Sequence, residues 1–354
     1  MRQTTIKEDE KGAPLDRVDR LAAEFVWEHS GPILRYRMVR DLRFEGDLTS
    51  DELLSDVLAT RAVRTRLHKL SLCRRIHGSA DAYLENPVCK LVEFGLDVSV
   101  PIVAEAMNPH LERLTRIEPG ENVHGDSVRL LGMPLLVAIG YADHPVVNRE
   151  FKARLDEIEP TISEEVYSFY ASAAESARVP RAWRGKHIYK PKYLTDHIVR
   201  LPSIYDFYST AHWVAGSQRY ARKVEAAISY LSDPRFQKTH GGYLWDPEIG
   251  RCWAAGEAFL AKISEPRKWL FLELAARFPS CRKRRWFRNA LSEFESTRTK
   301  RGTWQFPAKY LNESVGYHLY SGHHMSLGED RRDRAWSERE STFRMLYLKK
   351  LMGD

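Results

Sequence analysis

The dominant period along the chain is helical. Between Leu15 and Trp27 the apolar positions Leu15, Val18, Leu21, Ala22, Phe25 and Val26 recur at i, i+3 and i+4. Ile33, Leu34, Tyr36, Met38, Val39 and Leu42 continue the pattern after Gly31-Pro32, a pair that ends one helix and starts the next. Thr49, Ser50 and Asp51 supply N-cap chemistry ahead of Leu53, Leu54, Val57 and Leu58. Alternating runs bounded by two-residue Gly turns are scarce, so strands are expected only as short hairpins at helix connections.

The helices come in pairs. Ile76-His77-Gly78-Ser79 leads into the apolar stretch Val88–Phe94, then Gly95-Leu96-Asp97 and a second helix. Val123-His124-Gly125-Asp126 leads into Val128–Ile139, then Gly140 to Asp143 and a second helix. His240-Gly241-Gly242-Tyr243 opens a third Gly-rich segment. A helical hairpin recurring roughly every 40 to 50 residues implies a solenoid or a closed array. One helix of each pair decides between them. Leu130–Val137 and Trp269–Leu274 are apolar nearly all round, and such helices are buried on every side. The expected fold is therefore all-α, an α/α toroid in which a double ring of helical hairpins encloses a cavity. An open solenoid is the alternative. Residues 1–15 read as a polar tail and 16–354 as a single toroid domain.

Four further strings carry a resemblance: Gly31–Leu42 (GPILRYRMVRDL), Tyr189-Lys-Pro-Lys-Tyr193, Gly302-Thr-Trp304 and Glu340–Leu346 (ESTFRML). Together they resemble bacterial proteins of the prenyltransferase and squalene-cyclase repeat type, whose fold is the terpenoid-cyclase α/α toroid. The likeness runs thinly from about Ala22 to Leu351 and implies fold more than activity. The chain has no Asp-x-Asp-Asp string, which class II cyclases use to protonate an alkene. It also has no Asp-Asp-x-x-Asp string, which class I enzymes use to hold diphosphate-bound magnesium. None of the four cysteines sits in the Asp-x-Cys setting of the zinc-dependent protein prenyltransferases. No family chemistry carries over by residue, and neither a metal nor a cofactor is expected.

Candidate chemistry concentrates in two places. Leu311–Arg332 (LNESVGYHLYSGHHMSLGEDRR) gathers acid/base side chains on a Gly-bearing loop that could close one mouth of the ring. There His323 would carry protons, with Glu313 and Tyr317 positioning and His324 binding. The bland reading is an irregular connection whose polar groups satisfy one another. In Leu201–Trp213, Tyr205, Tyr208 and His212 share a helix face, with Asp206 as the general acid and His212 as a proton carrier. Its bland reading is an aromatic core helix. His77 with Glu85, and His124, precede apolar helices at equivalent repeat positions, as a pocket rim or as helix caps. Trp213, Trp245 and Trp304 belong to an aromatic crowd that could line a pocket or simply form core.

The expected function is acid/base catalysis on an apolar or isoprenoid-type substrate in an aromatic-lined central cavity. A glycoside hydrolase or lyase using Asp206 and Glu313 as paired carboxylates is an alternative, as is a noncatalytic binding or scaffold protein. Lys plus Arg is 55 against 48 Asp plus Glu, a net +7 that is mild for 354 residues and argues against nucleic acid. Arg282–Arg285, Arg298–Arg301 and Arg331–Arg334 could touch an anionic membrane and admit a lipid substrate, or be solvated helix faces. No run of 18 apolar residues, no apolar leader and no Cys-x-x-Cys pair occurs, so a cytoplasmic protein is expected, its oligomeric state open.

Overall fold

The computed structural model describes residues 17–117, 123–177, 179–183, 185–196, 198–247, 250–255 and 260–353. It is mostly helical. In chain order the principal helices are α1 (Arg17–His29), α2 (Pro32–Leu42), α3 (Ser50–Ala59), α4 (Arg61–Leu72), α5 (Glu85–Glu93), α6 (Pro101–Thr115) and α7 (Val123–Leu136). They continue with α8 (Pro145–Ser163), α9 (Ile204–His212), α10 (Gln218–Leu231), α11 (Lys268–Ala275), α12 (Arg285–Glu295) and α13 (Trp336–Met352). The strands are two short antiparallel hairpins at connections: β1 (Leu194–Thr195) with β2 (Ile198–Val199), and β3 (Gly242–Asp246) with β4 (Arg251–Ala255).

The helices form the expected double ring. Helices α1, α4, α6, α8, α10 and α12 lie outside, and α2, α5, α7, α9, α11 and α13 lie inside. Each outer helix buries one face, as in α6, where Val103, Met107, His110 and Leu114 point inward. The inner helices α5 and α9 are buried nearly all round: Glu85–Leu91 of α5, and every residue of α9 except His212. Successive hairpins pack side by side, and α13 returns to pack on both α1 and α2, which closes the ring. Lys349 of α13 donates to both oxygens of Asp19 of α1 at 3.0 and 2.9 Å across that seam.

Local chemistry sets where the inner helices start. Helix α9 opens with a capping box: the Ser203 amide and hydroxyl donate to Asp206 Oδ2 at 2.8 and 2.9 Å, and the Asp206 amide returns to Ser203 Oγ. Helix α5 starts at Glu85, after Leu84, without a side-chain cap. Trp304, which could line a pocket or form core, is fully buried core. It wedges between α12 and α13, its amide donating to Thr342 Oγ1 at 3.0 Å and its indole to Glu295 at 3.2 Å.

Asp206 is also a structural group. Arg154 of α8 grips it with both forks, Nε to Oδ1 at 2.8 Å and Nη2 to Oδ2 at 2.9 Å, and ties the outer ring to the inner. With Ser203 on the same carboxylate, no oxygen is left for a proton to be delivered from. This geometry corrects the expected role of Asp206 as general acid. Asp206→Asn would leave the buried Arg154 only the more distant Glu157 carboxylate, 3.6 Å away, and we expect it to lower stability by about 3 kcal/mol. A urea midpoint indistinguishable from wild type would contradict this assignment.

Candidate functional site

The ring is not an apolar hollow. Segment 311–332 enters between the N-terminal ends of the inner helices and fills that mouth. Lys90 of α5, only 2% exposed, holds it there. The ammonium donates to the carbonyl of His324 at 3.0 Å, to the carbonyl of Ser326 and to Glu313. Arg66 of α4 takes the other Glu313 oxygen at 2.7 Å, and His324 Nδ1 lies 3.5 Å from it. Burial disfavours the Glu313 carboxylate, but Lys90, His324 and Arg66 outweigh it and hold its pKa far below the usual range. Glu313 is thus a charged anchor. His324 is buried in left-handed backbone (φ 64°) and donates from Nε2 to the Gly316 carbonyl at 3.1 Å.

Deeper along the axis, Arg344 of α13 bridges two inner helices. It donates to Glu273 of α11 at 2.9 Å and to Glu93 of α5 at 2.7 Å. Glu340, fully buried, accepts from Ser326 Oγ at 3.1 Å and from the Glu329 amide at 3.2 Å. These charges replace the aromatic lining expected for the centre. They persist because each is paired or hydrogen-bonded inside the ring.

One cluster at the filled mouth gathers titratable side chains around a single buried carboxylate. Glu85, in the first turn of α5, is fully buried. Its Oε1 accepts the Leu319 amide at 3.1 Å. Its Oε2 receives His77 Nδ1 at 2.7 Å and the Tyr205 hydroxyl at 2.7 Å. The Tyr205 hydroxyl also lies 2.8 Å from His77 Nδ1, so the three groups close a triangle; a carboxylate oxygen can only accept, and a proton on His77 Nδ1 satisfies it. Among the described residues Nε2 has no hydrogen-bond partner, and the side chain is 23% exposed. The imidazole stacks on Tyr317 and packs against Tyr320, each centroid 4.7 Å away. Burial, then Glu85, pushes the Tyr205 and Tyr320 phenols well above their ordinary pKa, so both stay protonated.

A second group lies lower on the same wall. Tyr208 packs edge-on to His212 at 4.8 Å, and the ring of His318 lies 6.4 Å from Tyr208. His318 donates from Nδ1 to the His323 carbonyl at 2.8 Å. Burial, reinforced by neighbouring cationic groups, drives both His212 and His318 down to about 3. At this end the C-terminal halves of α2, α5, α9, α11 and α13 converge on a cavity of about 300 Å³.

The structure therefore sorts the expected residues. It brings together His77, Glu85, Tyr205 and Tyr317, and adds Tyr320. Tyr208, His212 and Trp213 belong to the opposite end. His323 is half-buried against Gly316, and burial lowers its pKa, but it does not join His77. Trp245 sits on β3, paired with Cys252 in the hairpin register, away from the cluster. The His124 side chain lies outside the described residues. Asp206 and Glu313 share no partner and are each consumed by their own guanidinium, so the two-carboxylate pair required for a hydrolase does not form. Among the described residues no group of three or more His, Cys, Asp or Glu side chains is placed to hold a metal, and no helix is long and apolar enough to cross a membrane. Lys90, Glu93 and Arg344 went unrecognised in the sequence. Their only signal is a charge inside an otherwise apolar helix, as in Val88-Cys-Lys90-Leu-Val-Glu93.

Comparison with family models, with curated proteins and with solved structures finds no match.

The two neutral histidines make stability pH-dependent. Above about pH 6.5 both folded and unfolded imidazoles are neutral and the fold keeps its full stability. As pH falls from there toward 3, the unfolded chain binds protons that His212 and His318 refuse, costing roughly 1.4 kcal/mol per pH unit for each. His318→Asn should reduce that slope by about one proton between pH 6.5 and 4.5 in urea titrations. An unaltered slope would show that His318 is not buried neutral.

Proposed function

We propose that the protein is an α/α-toroid enzyme, related in architecture to terpenoid cyclases, in which His77 is the general base and Glu85 orients it. The observation that carries this reading is the single Glu85 oxygen that receives both His77 Nδ1 and Tyr205 OH. That bond fixes the ring tautomer and stabilises the imidazolium formed when Nε2 takes a proton. Tyr317 and Tyr320 offer aromatic faces beside the base, suited to an apolar substrate or to a cationic carbon developing near it. The chain lacks the Asp-x-Asp-Asp acid, and Asp206 is committed to Arg154. The reading therefore favours proton removal over alkene protonation as the step performed here.

A base flanked by protonated tyrosines also suits β-elimination from a uronate sugar, where His77 would take the proton α to a carboxylate. The hydrolase version of the carbohydrate reading loses its carboxylate pair. Contact with an anionic membrane would rest on Lys283, Arg285 and Arg288, which are exposed. Arg282 and Arg284 from the same run already donate to the Met352 carbonyl and to Ser229.

The test is incubation of the purified protein with prenyl diphosphates and prenyl alcohols, and separately with uronate oligosaccharides. Products are read by mass spectrometry and by the ultraviolet absorbance of an unsaturated sugar. Turnover of one class is expected, with His77→Asn and Glu85→Gln lowering kcat by about 100-fold or more. Tyr205→Phe should shift the pH profile and cost less. Full turnover by His77→Asn would refute the assignment of the base, and silence toward both classes would refute the enzyme reading for them.

A further inference from the structure

We propose that the cavity at the C-terminal end of the inner helices is a second site, one that binds a small zwitterion carrying a free amine and a carboxylate, of the α-amino-acid class. The site lies at the other end of the ring from His77 and does not depend on the chemistry assigned there.

The first argument is an ion pair that fails to form. Glu273 lies in the last turn of α11 and Arg277 two residues beyond its end, close enough in sequence for a glutamate and an arginine to meet. Both line the cavity, yet no salt bridge joins them among the described residues. Glu273 gives Oε2 to Arg344 and to the Trp269 indole, each at 2.9 Å, and its Oε1 accepts no hydrogen bond. Arg277, exposed at the opening, donates to the Tyr347 hydroxyl at 2.9 Å and meets no carboxylate.

The second argument is charge balance at the floor. Glu93 and Glu273 share one guanidinium, that of Arg344. The nearby Arg37 and Arg40 are already matched by Asp41 and Asp97 at 2.6 and 2.9 Å. The floor thus holds one negative charge more than its partners neutralise, while the rim holds a guanidinium with no counter-charge. Burial makes an unmatched carboxylate costly, and an ammonium would relieve it.

The third argument is an unused donor. Trp213 Nε1 is buried without a hydrogen-bond partner, on a residue 6% exposed that lines the cavity, while the Tyr208 hydroxyl faces the Cys89 thiol. The indole can donate to a polar atom of the ligand. The zwitterion would place its ammonium against Glu93 and Glu273 and its carboxylate toward Arg277, with the rings of Tyr208 and Trp213 beside its side chain. The volume of about 300 Å³ accommodates a molecule of that size.

Isothermal titration calorimetry of the full chain with each of the common L-amino acids tests this. At least one is expected to bind. Its decarboxylated amine and its N-acetyl derivative should each bind at least tenfold more weakly. Arg277→Gln, at an exposed position, should weaken the amino acid at least tenfold and leave the amine unchanged. Glu273→Gln, with its fold checked by thermal melting, should weaken both. The proposal is overturned if no amino acid binds, if the amine or the N-acetyl form binds as tightly as the parent, or if Arg277→Gln binds normally.

Discussion

The ammonium of Lys90 is the constraint on which the interior of this molecule depends. A closed ring of helices leaves a central space, and packed proteins do not tolerate a large empty one. Here the space is filled by the chain's own segment 311–332, and the filling is polar. A buried lysine is stable only when its protons are all received. Lys90 finds Glu313 and the carbonyls of His324 and Ser326, all within that one segment. The ammonium therefore selects one placement of the segment. Arg344 extends the same logic down the axis, joining α5, α11 and α13 through its pairs with Glu93 and Glu273, while Glu340 is held by Ser326 and the Glu329 amide.

The candidate base inherits its geometry from this filling. Glu85 binds three parts of the fold at once: the loop bearing His77, the wall residue Tyr205 and the Leu319 amide of the inserted segment. Tyr317 and Tyr320, which flank the imidazole, come from that segment too. Seating the segment therefore completes the cluster, adding the Leu319 amide to Glu85 and the two flanking rings to the His77–Glu85–Tyr205 contact. Its location at the N-terminal ends of the inner helices separates it from the cavity at their C-terminal ends.

Helical periodicity, the recurring hairpin and the all-round apolar helices made the ring and its inner wall legible in the sequence. The residues Ile76-His77-Gly78 with Glu85 drew notice because they precede an apolar helix at a repeat position, and the structure places both in one cluster. Other features were hidden for a physical reason. Asp206 looks like a catalytic acid on an aromatic helix, but its partner Arg154 lies far away in sequence on a different helix. Glu313 looks like a positioning group, and only the fold reveals that Lys90 and Arg66 hold it. A charge in an apolar helix announces that it must be paired. Its sequence context does not say with what. Trp304 shows the same limit, because a tryptophan at a pocket and a tryptophan wedged between helices read alike in one dimension.

Amide hydrogen exchange across segment 311–332 measures the central claim most directly. If Lys90 seats this segment inside the ring, the amides of His318, Leu319, Gly322 and Met325 have acceptors at Asn86, Glu85, His318 and Asn312 and should exchange as slowly as those of α5 and α9. Exchange at the rate of an open surface loop, with α5 and α9 still protected, would mean that the ring is not filled by its own chain. The account of both the interior and the His77 cluster would then fail.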